Sequence, residues 1–218
     1  MKFNLEFALS ILPELLQGAI LTLAATLGGM ALALVGGLIL SVLQQARLWP
    51  VRFLANGYIA VVRSTPLLIQ LFFLFYILPE FGVTAPAFWT GVLGLGLHYS
   101  AYTAEVYRAG LENVPRGQWE AATALHLSIR DTWTKVVMPQ AIPPMVPMLG
   151  NYLIAMFKDT PILATITVIE LFGAANQVAG ITYRYFEPYT LVGLIFLALS
   201  IPSVLLINRA DRRFSLVR

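Results

Sequence analysis

Residues 15–43 contain no charged side chain. A helix needs about 20 apolar residues to cross a bilayer, and inside hydrocarbon it satisfies its own backbone hydrogen bonds. That one stretch therefore fixes the chain's solvent as lipid. Composition agrees: the 218 residues are 58% hydrophobic and only 11% charged, whereas a soluble domain carries roughly 25% charged residues. There is too little charge to cover a soluble surface. The chain has no cysteine, which excludes a disulfide framework, a thiol nucleophile and a cysteine metal site. Lys2, Glu6 and Glu14 precede the apolar run, which lacks a short apolar region followed by a small-residue cleavage site. It reads as a retained first span and not as a removed signal.

Four further runs complete an all-α transmembrane fold of about five spans in one domain, 1–218. They are 53–78, interrupted by Arg63 and Pro66; 85–107, ending near Glu105; 141–157, proline-rich at its start; and 189–208. Residues 159–187 are too polar for a plain span, and 162–175 read as a short helix at or part-way into the membrane. Basic residues set orientation. With five spans, Arg47, Arg52, Arg108, Arg116, Arg130, Lys135, Arg209, Arg212, Arg213 and Arg218 fall on one side, against Lys2, Lys158 and Arg184 on the other. This places the loop 108–140 and the C-terminus in the cytosol and the N-terminus outside. Gly29, Ala33 and Gly37 on the first span, with Gly91, Gly94 and Gly96 on the third, allow close helix contact. Packing within one chain is the simpler use of them, and a dimer seam the alternative.

Polar residues inside membranes are costly and point to function. Arg63-Ser64-Thr65-Pro66 is one cluster. Pro66 breaks helical bonding, and Ser64 and Thr65 can satisfy the freed groups. Arg63 lies roughly 16 Å along a helix from Arg52, which puts it near the bilayer middle, where its guanidinium suits a carboxylate. Lys158-Asp159-Thr160-Pro161 is the other. Asp159 can hold a substrate cation or close a gate by pairing with Arg63; a solvated helix end is the plainer reading. Glu105 and Arg108 are three apart and can pair with each other. His98, Tyr99 and Tyr102 sit in the third span, and His98 reads as hydrogen-bonded within the bundle. His126 has no partner at ligand spacing, so no metal site is expected. No phosphate-binding loop or hydrolase motif occurs, and nothing suggests nucleic acid. The longest polar interruption is 114–141, where a helix of about 15 residues is expected after Pro115.

The segments AYTAEVYRAGLENVPRGQWEAA (101–122) and VVMPQA (136–141) resemble the EAA loop of ABC importer permeases, most closely the branch for polar amino acids. RSTPLLIQLFFLFY (63–76) and KDTPILATITVIEL (158–171) are similar to that branch's RGTPLLVQ-type and KDTSL-type segments, with Ser64 for Gly and Pro161 for Ser. The resemblance implies a type I importer permease of the bacterial inner membrane. Its expected partners are cytosolic ATPase subunits, a second permease chain (same or related) and an extracytoplasmic solute-binding protein. ATP and Mg would bind the ATPase, with no cofactor on this chain. Coupling would fall to Arg116, Gly117, Glu120, Ala121, Ala122 and His126. The substrate pathway or gate would use Arg63, Ser64, Thr65, Gln70, Tyr102, Glu105, Lys158, Asp159 and Thr160. His126 stands where the family usually has Gly, and the bend of the loop is expected to differ there. The segments 88–108 and 138–161 also resemble permeases for ectoine and hydroxyectoine, which implies a cyclic zwitterion. A stand-alone secondary transporter and a membrane enzyme are the competing classes.

Overall fold

Asn4 begins the longest helix. Its side chain accepts the Phe7 N–H at 3.0 Å, and α1 runs Leu5–Leu43. The charge-free stretch thus begins ten residues inside a longer helix; Glu6 and Glu14, which interrupt the apolar pattern, lie on its exposed side. A computed structural model describes residues 3–215, all helix and loop without strands. Lys2 and Arg218 of the basic tally lie outside the described residues, as do the side chains of Arg212 and Arg213.

The second expected span is broken. α2 (Trp49–Ser64) stops at Pro66, α3 (Leu67–Phe72) follows, and π and 3-10 turns continue to Phe81. The chain bends by 110° between the two arms. A proline ring has no N–H and crowds the carbonyl four residues back, so Pro66 ends α2 and starts a new direction. The third helix, α4, covers Ala87–Glu112. Beyond it come α5 (Arg116–Ala124), a single turn α6 (Ile129–Asp131) and a π segment Thr132–Val137. α7 (Met138–Asp159) carries Pro143, Pro144 and Pro147 within it. Both π segments end two residues before a proline, Pro79 or Pro139. A widened turn leaves room for the ring.

The stretch expected to hold one short helix at 162–175 divides instead. A 3-10 segment spans Thr160–Ile166, and α8 spans Leu171–Thr182. Thr167 in the left-handed region (φ 68°) ends the first, and Glu170 caps the second. α9 (Phe186–Ser215) closes the chain.

α1 and the Phe186–Arg209 part of α9 are each long and apolar enough to cross a membrane. The pairs Trp49–Ser64 with Leu67–Phe81, and Ile129–Ile166 with Leu171–Thr182, pass the same test together. α4 is not apolar enough to be among them, because it carries the bundle's interior polar groups. It lies against α1, α2, α3 and α7. The small residues work within the chain: a Cβ on Gly29 would come to 3.0 Å from Leu95 and one on Gly36 to 3.0 Å from Ser100. The pairing rises in number on both helices, so α1 and α4 run parallel. Thr103 Oγ1 donates to the Ala33 carbonyl at 2.7 Å. At the other end of α1, Asn4 N–H donates to Glu187 Oε1 at 3.0 Å, tying α1 to the start of α9.

Glu170 is fully buried, yet no cation faces it among the described residues. Its carboxylate accepts from Gly173 N–H (2.8 Å), Phe172 N–H (3.0 Å) and Thr22 Oγ1 (3.1 Å). Thr22 Oγ1 in turn accepts the Leu171 N–H at 3.1 Å. These bonds fasten the start of α8 to the middle of α1. Glu170→Ala strips the buried donors of their acceptor, at about 1–3 kcal/mol for each group left unsatisfied. The expected result is a lower melting temperature of the purified protein; Glu170→Gln, which keeps an acceptor, falls between.

Candidate functional site

Pro66 frees carbonyls at the end of α2, and the local sequence answers them. Thr65 Oγ1 donates to Val61 O at 2.9 Å, and Gln70 Nε2 donates to Val62 O at 2.9 Å and to Thr65 Oγ1 at 2.8 Å. Gln70 Oε1 then lies 3.0 Å from His98 Nδ1 on α4. His98 is thus held in the bundle by a hydrogen bond, as its isolation in the sequence implies. Ser64 is exposed and forms no side-chain bond of this kind.

From the next residue of α4 onward the charges begin. Tyr99 Oη donates to Asp159 Oδ2 at 2.7 Å. Tyr102 is 5.5 Å from the ring of Tyr152 on α7 and has the Arg63 guanidinium 5.5 Å from its ring centre. Arg63 makes its ion pair with Glu105, at 3.8 Å, and not with Asp159. Glu105 is the shared acceptor of the region: Arg108 reaches it at 2.8 Å and Gln44 at 3.2 Å. The pairing of Glu105 with Arg108 read from their spacing is present. The Arg63–Asp159 gate is not closed in this conformation, because each group has a nearer partner on α4. Asp159 and Glu105 sit at two levels of α4, with Arg63, its side chain 46% exposed, directed to the lower one.

The structure thus brings Arg63, Thr65, Gln70, Tyr102, Glu105 and Asp159 to one side of α4. Lys158 and Thr160 are elsewhere. Thr160 is buried and bonds back to Phe157 O at 2.8 Å, and Lys158 lies toward α9. Tyr99 and His98 complete the cluster; the sequence points to a bundle hydrogen bond for His98 but marks Tyr99 only as a residue of the span. Tyr152 carried no signal beyond being a tyrosine in a proline-rich span. Apolar periodicity cannot show which turn of α7 faces α4.

Below Glu105, a cavity of about 590 Å³ is lined by Gln44, Asn56, Glu105, Arg108, Trp119 and Trp133, among others. Trp119 belongs to α5, and its ring meets Trp133 edge-on at 5.4 Å. The cavity joins the charged cluster to the polar loop.

In that loop α5 has nine residues, fewer than the 15 expected. The stop is a Schellman turn: Leu127 N–H donates to Ala122 O (3.1 Å) and His126 N–H to Thr123 O (3.0 Å). This geometry needs a left-handed residue just past the helix, and His126 supplies it at φ 50°. Histidine thus makes a left-handed bend at this position. Arg116, Gly117, Glu120 and Ala121 are exposed on α5. Ala122, expected at a partner contact with Ala121, is 2% exposed and packs inward. Leu125 (72%), within the turn, and Ile129 (81%), beyond it, stand out from the bundle.

The sequence matches the family model for the binding-protein-dependent transport system inner membrane component over residues 33–216. It is 46% identical over 208 residues to a Sinorhizobium fredii protein described as a probable amino-acid ABC transporter permease, covering 95% of this chain and 90% of that one. It is 32% identical over 208 residues to the L-cystine transport system permease of Bacillus subtilis, covering 93% and 89%. A solved amino acid ABC transporter with histidines matches with a TM-score of 0.91 at 34% identity, over 98% of this chain and all of that one.

A left-handed histidine costs about 1–2 kcal/mol that glycine does not incur. His126→Gly is therefore expected to raise the melting temperature of the purified complex, and His126→Ile, β-branched, to lower it.

Proposed function

This chain belongs to the family of binding-protein-dependent transport system inner membrane components, and from that premise we propose that it is the permease of an ATP-driven importer for polar amino acids or related zwitterions. Its fold is the type I ABC permease fold, embedded in the membrane. The observation that carries the coupling half of the proposal is α5. A nine-residue helix, held off the bundle by a capped turn, presents Glu120 and Ala121 beside exposed Leu125 and Ile129. Such a mixed polar and apolar surface suits insertion into a cleft of a cytosolic ATPase. Arg116 and Gly117 open the helix, Glu120 makes the polar contact, and Ala122 with Trp119 transmits movement inward. ATP and Mg belong to that ATPase; this chain holds neither and performs no hydrolysis.

The topology follows from basic-residue placement: five spans with α4 as the central one, the N-terminus outside, and α5 and the C-terminus in the cytosol of a bacterial inner membrane. A solute-binding protein delivers solute on the outer side, and a second permease chain completes the pathway. Within it, Asp159 receives the cationic end of the solute and Arg63 the carboxylate, with Tyr99, Tyr102 and Gln70 as walls. Engagement of Arg63 by the solute would draw it from Glu105. The Glu105–Arg108 pair would then move against Trp119, carrying solute occupancy to α5. Relatives that handle amino acids support this solute class. Ectoine and hydroxyectoine, zwitterions of similar charge layout, are the narrower candidates raised by two segments alone. Uptake of labelled ectoine beside labelled arginine, glutamine and cystine separates them.

Hydrogen bonds to charged groups are worth about 1.5–3 kcal/mol, so Arg63→Gln with Asp159→Asn should lower uptake by about tenfold or more. Unchanged uptake and solute-stimulated ATPase activity would remove both residues from the pathway. Glu120→Arg should abolish uptake and reduce co-purification of the ATPase without changing the melting of the membrane bundle. Normal uptake in that variant would rule out the coupling contact.

A further inference from the structure

Lys158 and Asp159 are neighbours at the end of α7, and a helix turns successive residues about 100° apart. Asp159 faces the polar cluster through Tyr99. Lys158 therefore faces α9, where it is exposed. No carboxylate among the described residues pairs with it. It stands beside a groove of about 600 Å³ whose other walls are almost wholly apolar: Pro161, then Gly193, Leu197, Ile201 and Leu205 along one face of α9. The rings of Phe157 and Phe196 meet at a tilt with centres 5.0 Å apart, which sets Lys158 at the Gly193 end. From Gly193 to Leu205 the groove runs about 18 Å, a little over half of a hydrocarbon core of about 30 Å.

The most apolar part of α9 is only 11% buried, so this face meets lipid unless another chain covers it. A lone ammonium in that position is costly without an anion. Its four-carbon stem can lie along apolar surface while the head reaches a phosphate. A cation at one end of an apolar channel about one acyl chain long complements an amphiphile with an anionic head.

We propose that this groove is a binding site for one phospholipid, with the phosphate on Lys158 and an acyl chain lying along α9 toward Leu205, and that it prefers a net-anionic headgroup. The proposal rests on membrane embedding and not on the identity of the transported solute. It gives Lys158 a role distinct from that of Asp159, although the two are adjacent in sequence.

The test is native mass spectrometry of the permease–ATPase complex, released from nanodiscs of equal phosphatidylglycerol and phosphatidylcholine. The wild-type complex should retain phosphatidylglycerol about fivefold over phosphatidylcholine, the contribution of one basic residue facing anionic lipid. Lys158→Gln should lose that preference and Lys158→Arg keep it. Gly193→Phe provides a control that does not touch the charge. No atom lies within 4 Å of a Cβ at Gly193, so the ring fills the groove from its open side and should displace either lipid. Equal phosphatidylglycerol retention by wild type and Lys158→Gln would overturn the proposal, as would full lipid retention by Gly193→Phe. If Lys158→Gln separates two permease chains and leaves lipid retention unchanged, the groove is a protein interface and the lipid assignment fails.

Discussion

The close approach of α1 and α4 is the contact on which the rest of the molecule depends. Glycines on both helices let the backbones meet, and Thr103 donates across the seam to Ala33 O at 2.7 Å. Between helices in lipid there is no hydrophobic driving force, so association relies on van der Waals packing and on hydrogen bonds of this kind. Once α4 is fixed in the interior, its polar side chains have to find partners there. His98 takes Gln70, Tyr99 takes Asp159, and Glu105 takes Arg63, Arg108 and Gln44. The candidate pathway is in that sense the polar lining of a helix held in place by small residues.

The broken elements serve the same centre. Pro66 turns the chain through 110°, and Gln70 both satisfies the carbonyls released at the break and reaches His98. On the other side, Thr167 and Glu170 divide the stretch after α7, with the Glu170 carboxylate occupied entirely by N–H and hydroxyl donors. Both breaks use side chains to replace helical hydrogen bonds, which non-helical backbone within a membrane protein requires. The π segments ahead of Pro79 and Pro139 are milder versions of the same accommodation.

Charge placement separates two tasks. Arg63 and Asp159 are exposed, and each is engaged by α4, through Glu105 and Tyr99, while Glu120 on α5 is exposed and forms no ion pair among the described residues. Between them lie Arg108, Trp119 and Trp133, around one cavity. Glu105 and Arg108 line that cavity with the edge-on pair Trp119 and Trp133.

Much of this was legible without coordinates. Lack of charge over 15–43 determined the solvent and the helical class, the polar segment 114–141 marked the exposed loop, and Pro66 and Pro161 beside ionisable residues marked the unusual chemistry. Those signals are local, arising from side-chain polarity and from proline's missing N–H. Tertiary structure decided what local signals cannot carry. It ended α5 at Ala124 through a left-handed His126, turned Ala122 inward, and sent Arg63 to Glu105 and not to Asp159. It also brought Tyr152 beside Tyr102 and turned Asp159 toward Tyr99 and Lys158 toward α9. Each of these depends on which face of one helix meets another, and in lipid both faces of a helix are apolar, so the sequence pattern does not tell them apart.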